Sequence, residues 1–111
     1  MGIALVQQKC TACEGGIPPM TAEQIAKYRP QINVAWGVIG NKKIRREFKF
    51  KDFKEAMVFV NNVADLAEEQ GHHPDISIYY SKVVIELWTH KINGLFINDF
   101  ILAAKIDELM A

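Results

Sequence analysis

His72 and His73 stand side by side in the stretch Glu68-Glu69-Gln70-Gly71-His72-His73-Pro74-Asp75, and the chain's third histidine is His90. Histidine titrates near neutral pH, so it suits proton transfer without a cofactor, and it is also a common metal ligand. Neighbouring residues of an extended segment point to opposite sides, so His72 and His73 cannot easily share one ion. No His-Glu-x-x-His or comparable helical spacing is present either. Pro74 stiffens the turn, and Asp75 or Asp99 could orient one imidazole or raise its proton affinity. The plain alternative is two imidazoles in a helix-to-strand turn, with His90 merely following an apolar strand. Residue types alone leave both readings open.

Cys10 and Cys13 have C-x-x-C spacing, which suits half a zinc site, a redox pair or no function. Zinc needs two further ligands, and a thioredoxin-like pair belongs between a strand and a helix. Here the pair lies beside Gly15-Gly16 and Pro18-Pro19.

The chain has 111 residues, 50% of them hydrophobic, which suits one domain with a real core. Its 13 basic and 13 acidic side chains cancel, so no overall field draws nucleic acid or an anionic membrane. Lys42, Lys43, Arg45 and Arg46 make a local basic patch, either an anion site or a solvated hairpin edge. No apolar run approaches the ~20 residues of a membrane span. The run Ile3-Ala4-Leu5-Val6 lacks the features of a signal peptide, so a soluble, intracellular protein is expected. Met1-Gly2 opens no myristoylation motif, because Val6 stands where Ser or Thr is required.

These residues need a scaffold. Residues 1–20 are expected to form an irregular arm, and residues 21–111 a single domain. Thr21 with Gln24 has the form of a capping box, opening a short helix that Pro30 stops. Val34 to Val38 alternate around Trp36, and a Gly40-Asn41 turn leads to a strand with Ile44, Phe48 and Phe50 on one face. Arg46 falls on that apolar face, so it either snorkels to an edge or has a buried anionic partner. Asp52 and Glu55 form a second capping box before Phe53, Ala56, Met57, Val60, Val63, Ala64 and Ala67 at helical spacing, ended by Gly71. Ile76, Ile78 and Tyr80 alternate, as do Val83, Ile85 and Leu87, with a connection around Tyr80-Ser81-Lys82. A loop from Thr89 to Gly94 leads to a last helix over about Ile97 to Met110. That helix is apolar on more than one face, which predicts a second chain covering part of it. The order α-β-β-α-β-β-α predicts an α+β domain: a four-stranded, largely antiparallel sheet with helices packed on one face.

From Arg46 to Leu109 the chain resembles the pterin-4a-carbinolamine dehydratases. The landmarks are Glu68 before His72-His73-Pro74, then Tyr80, Thr89-His90, Gly94-Leu95 and Asp99. Phe48-Lys49-Phe50-Lys51-Asp52-Phe53 looks like the family's strand-to-helix junction, and Cys10-Thr11-Ala12-Cys13-Glu14-Gly15-Gly16, Trp36 and Val38 match its bacterial branch. The resemblance implies a fold of order αββαββα and a hydro-lyase that removes water from 4a-hydroxytetrahydropterin to give quinonoid dihydropterin. It implies no metal and no organic cofactor, a cytosolic homodimer or homotetramer, and a functional link to a pterin-dependent aromatic amino acid hydroxylase. His73 and His90 would then move protons, His72 would bind or orient the pterin, and Asp99 would fix an imidazole. Glu68 would bind the donor-rich edge of the pterin or hold the loop. Trp36 would wall the pocket or belong to the core, and Tyr80 would pack. Relatives of this family also serve as a transcriptional coactivator or as assembly factors, so a binding protein on the same scaffold is the competing reading. The chain departs from its animal relatives at Ile76-Ser77, where they carry aromatics, and at Phe96, where they place a hydroxyl cap.

Overall fold

The computed structural model describes residues 4–12 and 15–110; residues 1–3, Cys13, Glu14 and Ala111 lie outside the described residues. Thr21 accepts a hydrogen bond from the Gln24 N–H, and the Gln24 side chain accepts one from the Thr21 N–H, so the expected capping box opens α1 (Ala22–Tyr28). Pro30 lacks the amide a continuing helix needs, and the chain tightens into a 3-10 turn over Arg29–Gln31.

The strands β1 (Gly37–Ile39), β2 (Lys43–Lys49), β3 (Asp75–Tyr79) and β4 (Lys82–Leu87) form one sheet. Its order is β1-β2-β4-β3, antiparallel at every pairing. With α2 (Phe53–Gln70) and α3 (Ile97–Leu109) the element order is the αββαββα expected of this α+β domain. Register decides which face is buried. Ile44 pairs with Leu87, Arg46 with Ile85 and Phe48 with Val83, while β3 sets Ile76 beside Ile85. Side chains alternate along a strand, so these share the face whose apolar members pack with Ala56, Val63, Phe100 and Leu102 of the helices. The opposite face carries Lys43, Arg45 and Glu86, linked at 3.2 and 3.6 Å. Two residues of the basic patch are therefore spent on exposed ion pairs, which add little stability.

Several details differ from the sequence pattern. The first strand begins at Gly37 rather than Val34, and Val34 is 87% exposed. The cause is local: Asn33 accepts from the Ala35 N–H with its side chain and from the Trp36 N–H with its carbonyl, making a turn that throws Val34 outward. On α2, Asp52 accepts from the Glu55 N–H at 2.9 Å, which is one half of the expected capping box. The buried seam, however, is Ala56, Phe59, Val63 and Ala67, with Phe53 and Ala64 exposed. Phe59 sits among the rings of Phe48 and Phe50, at 4.6 and 5.1 Å between centroids. Tyr80 belongs to the turn after β3, with a positive φ, and not to the strand.

Most of the apolar band on α3 is covered within this chain, with Leu109 and Met110 left exposed at its end. Residues 98–104 and Ile106 are all buried within this chain. The sheet and α2 take one side, and the amino-terminal arm takes another. Leu5, in a 3-10 turn over Leu5–Gln7, is 2% exposed in the common core, and Lys105 donates to the Val6 carbonyl at 2.8 Å. Tyr28 of α1 packs on Phe100.

Arg46 has an anionic partner, half-buried rather than fully buried. Its Nη1 donates to Asp107 Oδ1 at 2.6 Å, and the same carboxylate accepts from Trp36 Nε1 at 2.7 Å and from the Asn33 N–H at 2.9 Å. The Arg46 guanidinium also lies 4.4 Å from the Phe48 ring centroid. Removing the carboxylate leaves a mostly buried cation and an indole N–H without their acceptor. Asp107→Ala is expected to cost about 2–3 kcal/mol, a discounted figure because the pair keeps some solvent contact. Urea unfolding of the two proteins measures it.

Candidate active site

The histidine pair owes its geometry to the end of α2. Gly71 takes the left-handed conformation (φ 64°, ψ 26°), which a side chain would strain, and the His72 N–H returns to the Ala67 carbonyl at 3.3 Å. The chain leaves the helix extended, and the two imidazoles diverge. The His72 side chain is 12% exposed, with Nε2 2.6 Å from Asp99 Oδ1. The His73 side chain is 62% exposed, with Nε2 2.5 Å from Glu68 Oε2 one turn back on α2. A carboxylate can only accept, so each contact places a ring proton on Nε2.

Asp99 lies in the first turn of α3 and is fully buried. No hydroxyl precedes this helix, so Asp99 itself accepts from the Phe96 N–H at 3.0 Å. It also accepts from Thr89 Oγ1 at 2.9 Å and from His72. The departure at Phe96 thus removes half of a capping box and keeps the half that Asp99 supplies.

His90 arrives from the end of β4. Thr89 and Gly94 bridge the neck of the following loop, with Thr89 N–H donating to the Gly94 carbonyl at 2.8 Å. Gly94 is required by close approach, because a Cβ there would collide with the Pro19 ring. The next residue fastens the arm, as Met20 N–H donates to the Leu95 carbonyl at 2.9 Å. The His90 ring stacks on Trp88 with centroids 3.9 Å apart and planes 25° from parallel. Trp88 Nε1 donates to Asp75 Oδ2 at 3.0 Å. Of the two acids expected to orient an imidazole, Asp99 holds His72, and Asp75 holds the indole.

His72, His73 and His90 converge on one open cleft of about 500 Å³, walled also by Trp88, Asn98 and Thr11. Glu68 reaches the cleft through His73. Trp36 does not belong to it: the indole is 1% exposed, packs edge-on against Phe48 and is tied to Asp107. It is a core residue, because its N–H finds an acceptor inside the fold. A groove of about 520 Å³ beside Leu5, Ile32 and Asp107 has no histidine in its lining. Sequence reasoning missed Trp88 and Asn98. Trp88 shares strand parity with the polar residues Lys82 and Glu86, and a large aromatic on that face was a readable signal. Asn98 gave none: its side chain grips Thr11 of the arm by both backbone groups, at 3.0 and 2.5 Å, a contact made only by folding.

Residues 18–109 match the family model of pterin 4 alpha carbinolamine dehydratase. The chain belongs to that family. It is 46% identical over 104 residues to a protein of Alkaliphilus metalliredigens that carries the provisional name pterin-4-alpha-carbinolamine dehydratase, covering 94% of each chain. A Methylococcus capsulatus protein of the same provisional name is 47% identical over 109 residues, covering 97% of this chain and 95% of its own. Among solved structures, a transcriptional coactivator/pterin dehydratase from Brucella melitensis superposes with a TM-score of 0.77 at 31% identity, over 84% of this chain and 99% of that one. A pterin dehydratase-like RuBisCO assembly factor of the alpha-carboxysome gives 0.59 at 26% identity, over 68% and 88%.

Within this dehydratase-family site, Asp99→Ala would leave Thr89, His72 and the Phe96 amide without an acceptor. A loss of about 2–4 kcal/mol in urea unfolding is expected, with a smaller loss for Asp99→Asn, which keeps an acceptor oxygen. Cys10, the described half of the C-x-x-C pair, has its Sγ 3.6 Å from the Asn98 carbonyl. Burial pushes its thiol up to about 11; Asp99 adds to the rise and Lys105 opposes it. The thiolate is the nucleophile, so Cys10 in a Cys13→Ser background should alkylate slowly at neutral pH. The rate should climb about tenfold per pH unit towards that value, followed with iodoacetamide by mass spectrometry.

Proposed function

We propose that the protein is a 4a-hydroxytetrahydropterin dehydratase, a hydro-lyase that forms quinonoid dihydropterin in the cleft of His72, His73 and His90. The convergence of these three imidazoles on one open cleft carries the reading, and the family membership supports it. In a carbinolamine the adjacent ring nitrogen can expel hydroxide, which leaves poorly unless an acid protonates it. A base must take the proton from that nitrogen. His73 and His90, both reached by solvent, act as the proton-transfer pair. His72, locked by Asp99, orients the pterin. Glu68 holds His73 and so serves the loop. The reaction needs no metal or organic cofactor on this reading. The enzyme would recycle the pterin used by an aromatic amino acid hydroxylase in the cytoplasm.

A homodimer or homotetramer is part of the proposal. Ile78 and Tyr79 are exposed on β3, an edge strand, Tyr80 is exposed in the turn that follows it, and Phe53 and Val58 are exposed on α2. No helix among the described residues is long and apolar enough to cross a membrane. The names of the two structural neighbours favour a second reading, a coactivator or assembly protein on the same scaffold. The complete set of His72, His73, His90 and Asp99 favours catalysis.

The test follows decay of enzymatically generated 4a-hydroxytetrahydropterin with and without the protein. Wild type should accelerate it, and His73→Ala and His90→Ala should each lose about 10²–10⁴-fold. A decay rate unchanged by wild-type protein overturns the dehydratase reading.

A further inference from the structure

We infer that Trp88 is a positioning residue for His90, fixing by ring stacking the one imidazole of the cleft that has no carboxylate partner among the described residues. Its kinetic consequence rests on the dehydratase reading; the stack itself does not. His72 is held by Asp99 and His73 by Glu68. The His90 side chain has instead the indole, at 3.9 Å and 25°. His90 is exposed and opens the 3-10 turn His90–Ile92, so packing around it does little to select a rotamer. The stack supplies that selection. Two aromatic faces in contact attract each other and limit rotation about the side-chain bonds, so the contact holds the imidazole in one orientation.

Trp88 can do this because it is itself fixed. Its N–H is spent on Asp75, and the Lys42 ammonium lies 5.3 Å from its ring centroid. Asp75 opens β3 directly after His73-Pro74 and pairs across the ladder with Glu86 of β4. The Asp75–Trp88 hydrogen bond therefore joins the loop that carries His73 to the strand end that carries His90. It adds a side-chain tie to the ladder pairing that already sets β3 beside β4.

Trp88→Leu removes the stack, Trp88→Phe keeps an aromatic face, and Asp75→Ala frees the indole. In proton NMR spectra the His90 ring protons of wild type should lie upfield, shifted by the indole ring current. That shift should vanish in Trp88→Leu and partly return in Trp88→Phe. In the dehydration assay Trp88→Leu should lower kcat by about tenfold or more, since small misplacements of a catalytic group carry large rate costs. KM should stay within about twofold of wild type, Trp88→Phe should recover most of the loss, and Asp75→Ala should fall between. In a His90→Gln background Trp88→Leu should add almost nothing, because the two residues act as a unit. Equal losses in both backgrounds, or His90 ring protons unmoved by Trp88→Leu, overturn the proposal. If the wild-type protein dehydrates nothing, the functional reading fails, and the ring-proton shifts still decide the stack.

Discussion

A carboxylate with no solvent contact is costly unless donors surround it, and at Asp99 those donors come from three separate parts of the chain. The Phe96 amide belongs to the start of α3, the Thr89 hydroxyl to the end of β4, and His72 to the link between α2 and β3. The positive end of the α3 dipole adds to their effect. Satisfying one buried charge therefore fixes where three chain segments meet, and the cleft lies at that junction. Asn98, its neighbour, extends the same junction to the amino-terminal arm by gripping Thr11.

Near the other end of α3 a second carboxylate does comparable work. Asp107 gathers Arg46 from β2, the Trp36 indole and the Asn33 amide. Asp99 and Asp107 are about 12 Å apart along the helix at 1.5 Å per residue, and the helix between them is buried from Phe100 to Ala104. Apolar packing on all sides holds such a helix without specifying its rotation or its position along its axis. The two acids supply both, since each has partners that only one placement of the helix can reach.

Much of this was legible in the sequence where the determinants are local. The Thr21 capping box, the left-handed stop at Gly71, the period-two strands and the divergence of His72 from His73 all follow from short-range stereochemistry, and all are present. What escaped depends on contacts distant in sequence. The covering of α3 rests on Leu5 and on Lys105 reaching Val6, and the choice of Asp99 over Asp75 as partner of His72 rests on how α3 docks. Residue type leaves Trp36 between core and pocket, and the distant Asp107 carboxylate that accepts its N–H holds it in the core. Phe59 rather than Phe53 enters the core, where it meets the rings of Phe48 and Phe50.

The division of labour between Asp99 and the histidines bears on how one scaffold can host different tasks. Asp99 is built into the fold, so its loss is expected to weaken the whole chain. His73 and Glu68 are largely solvated, and His90 is exposed, so their replacement should cost the fold little. A chain of this architecture could therefore shed proton transfer by losing His73 or His90 while retaining the junction at Asp99 and a stable surface for a partner. Retention of the acidic residue is then weak evidence of catalysis. Retention of the two solvent-facing imidazoles, which the fold does not require, is the stronger evidence, and this chain keeps both.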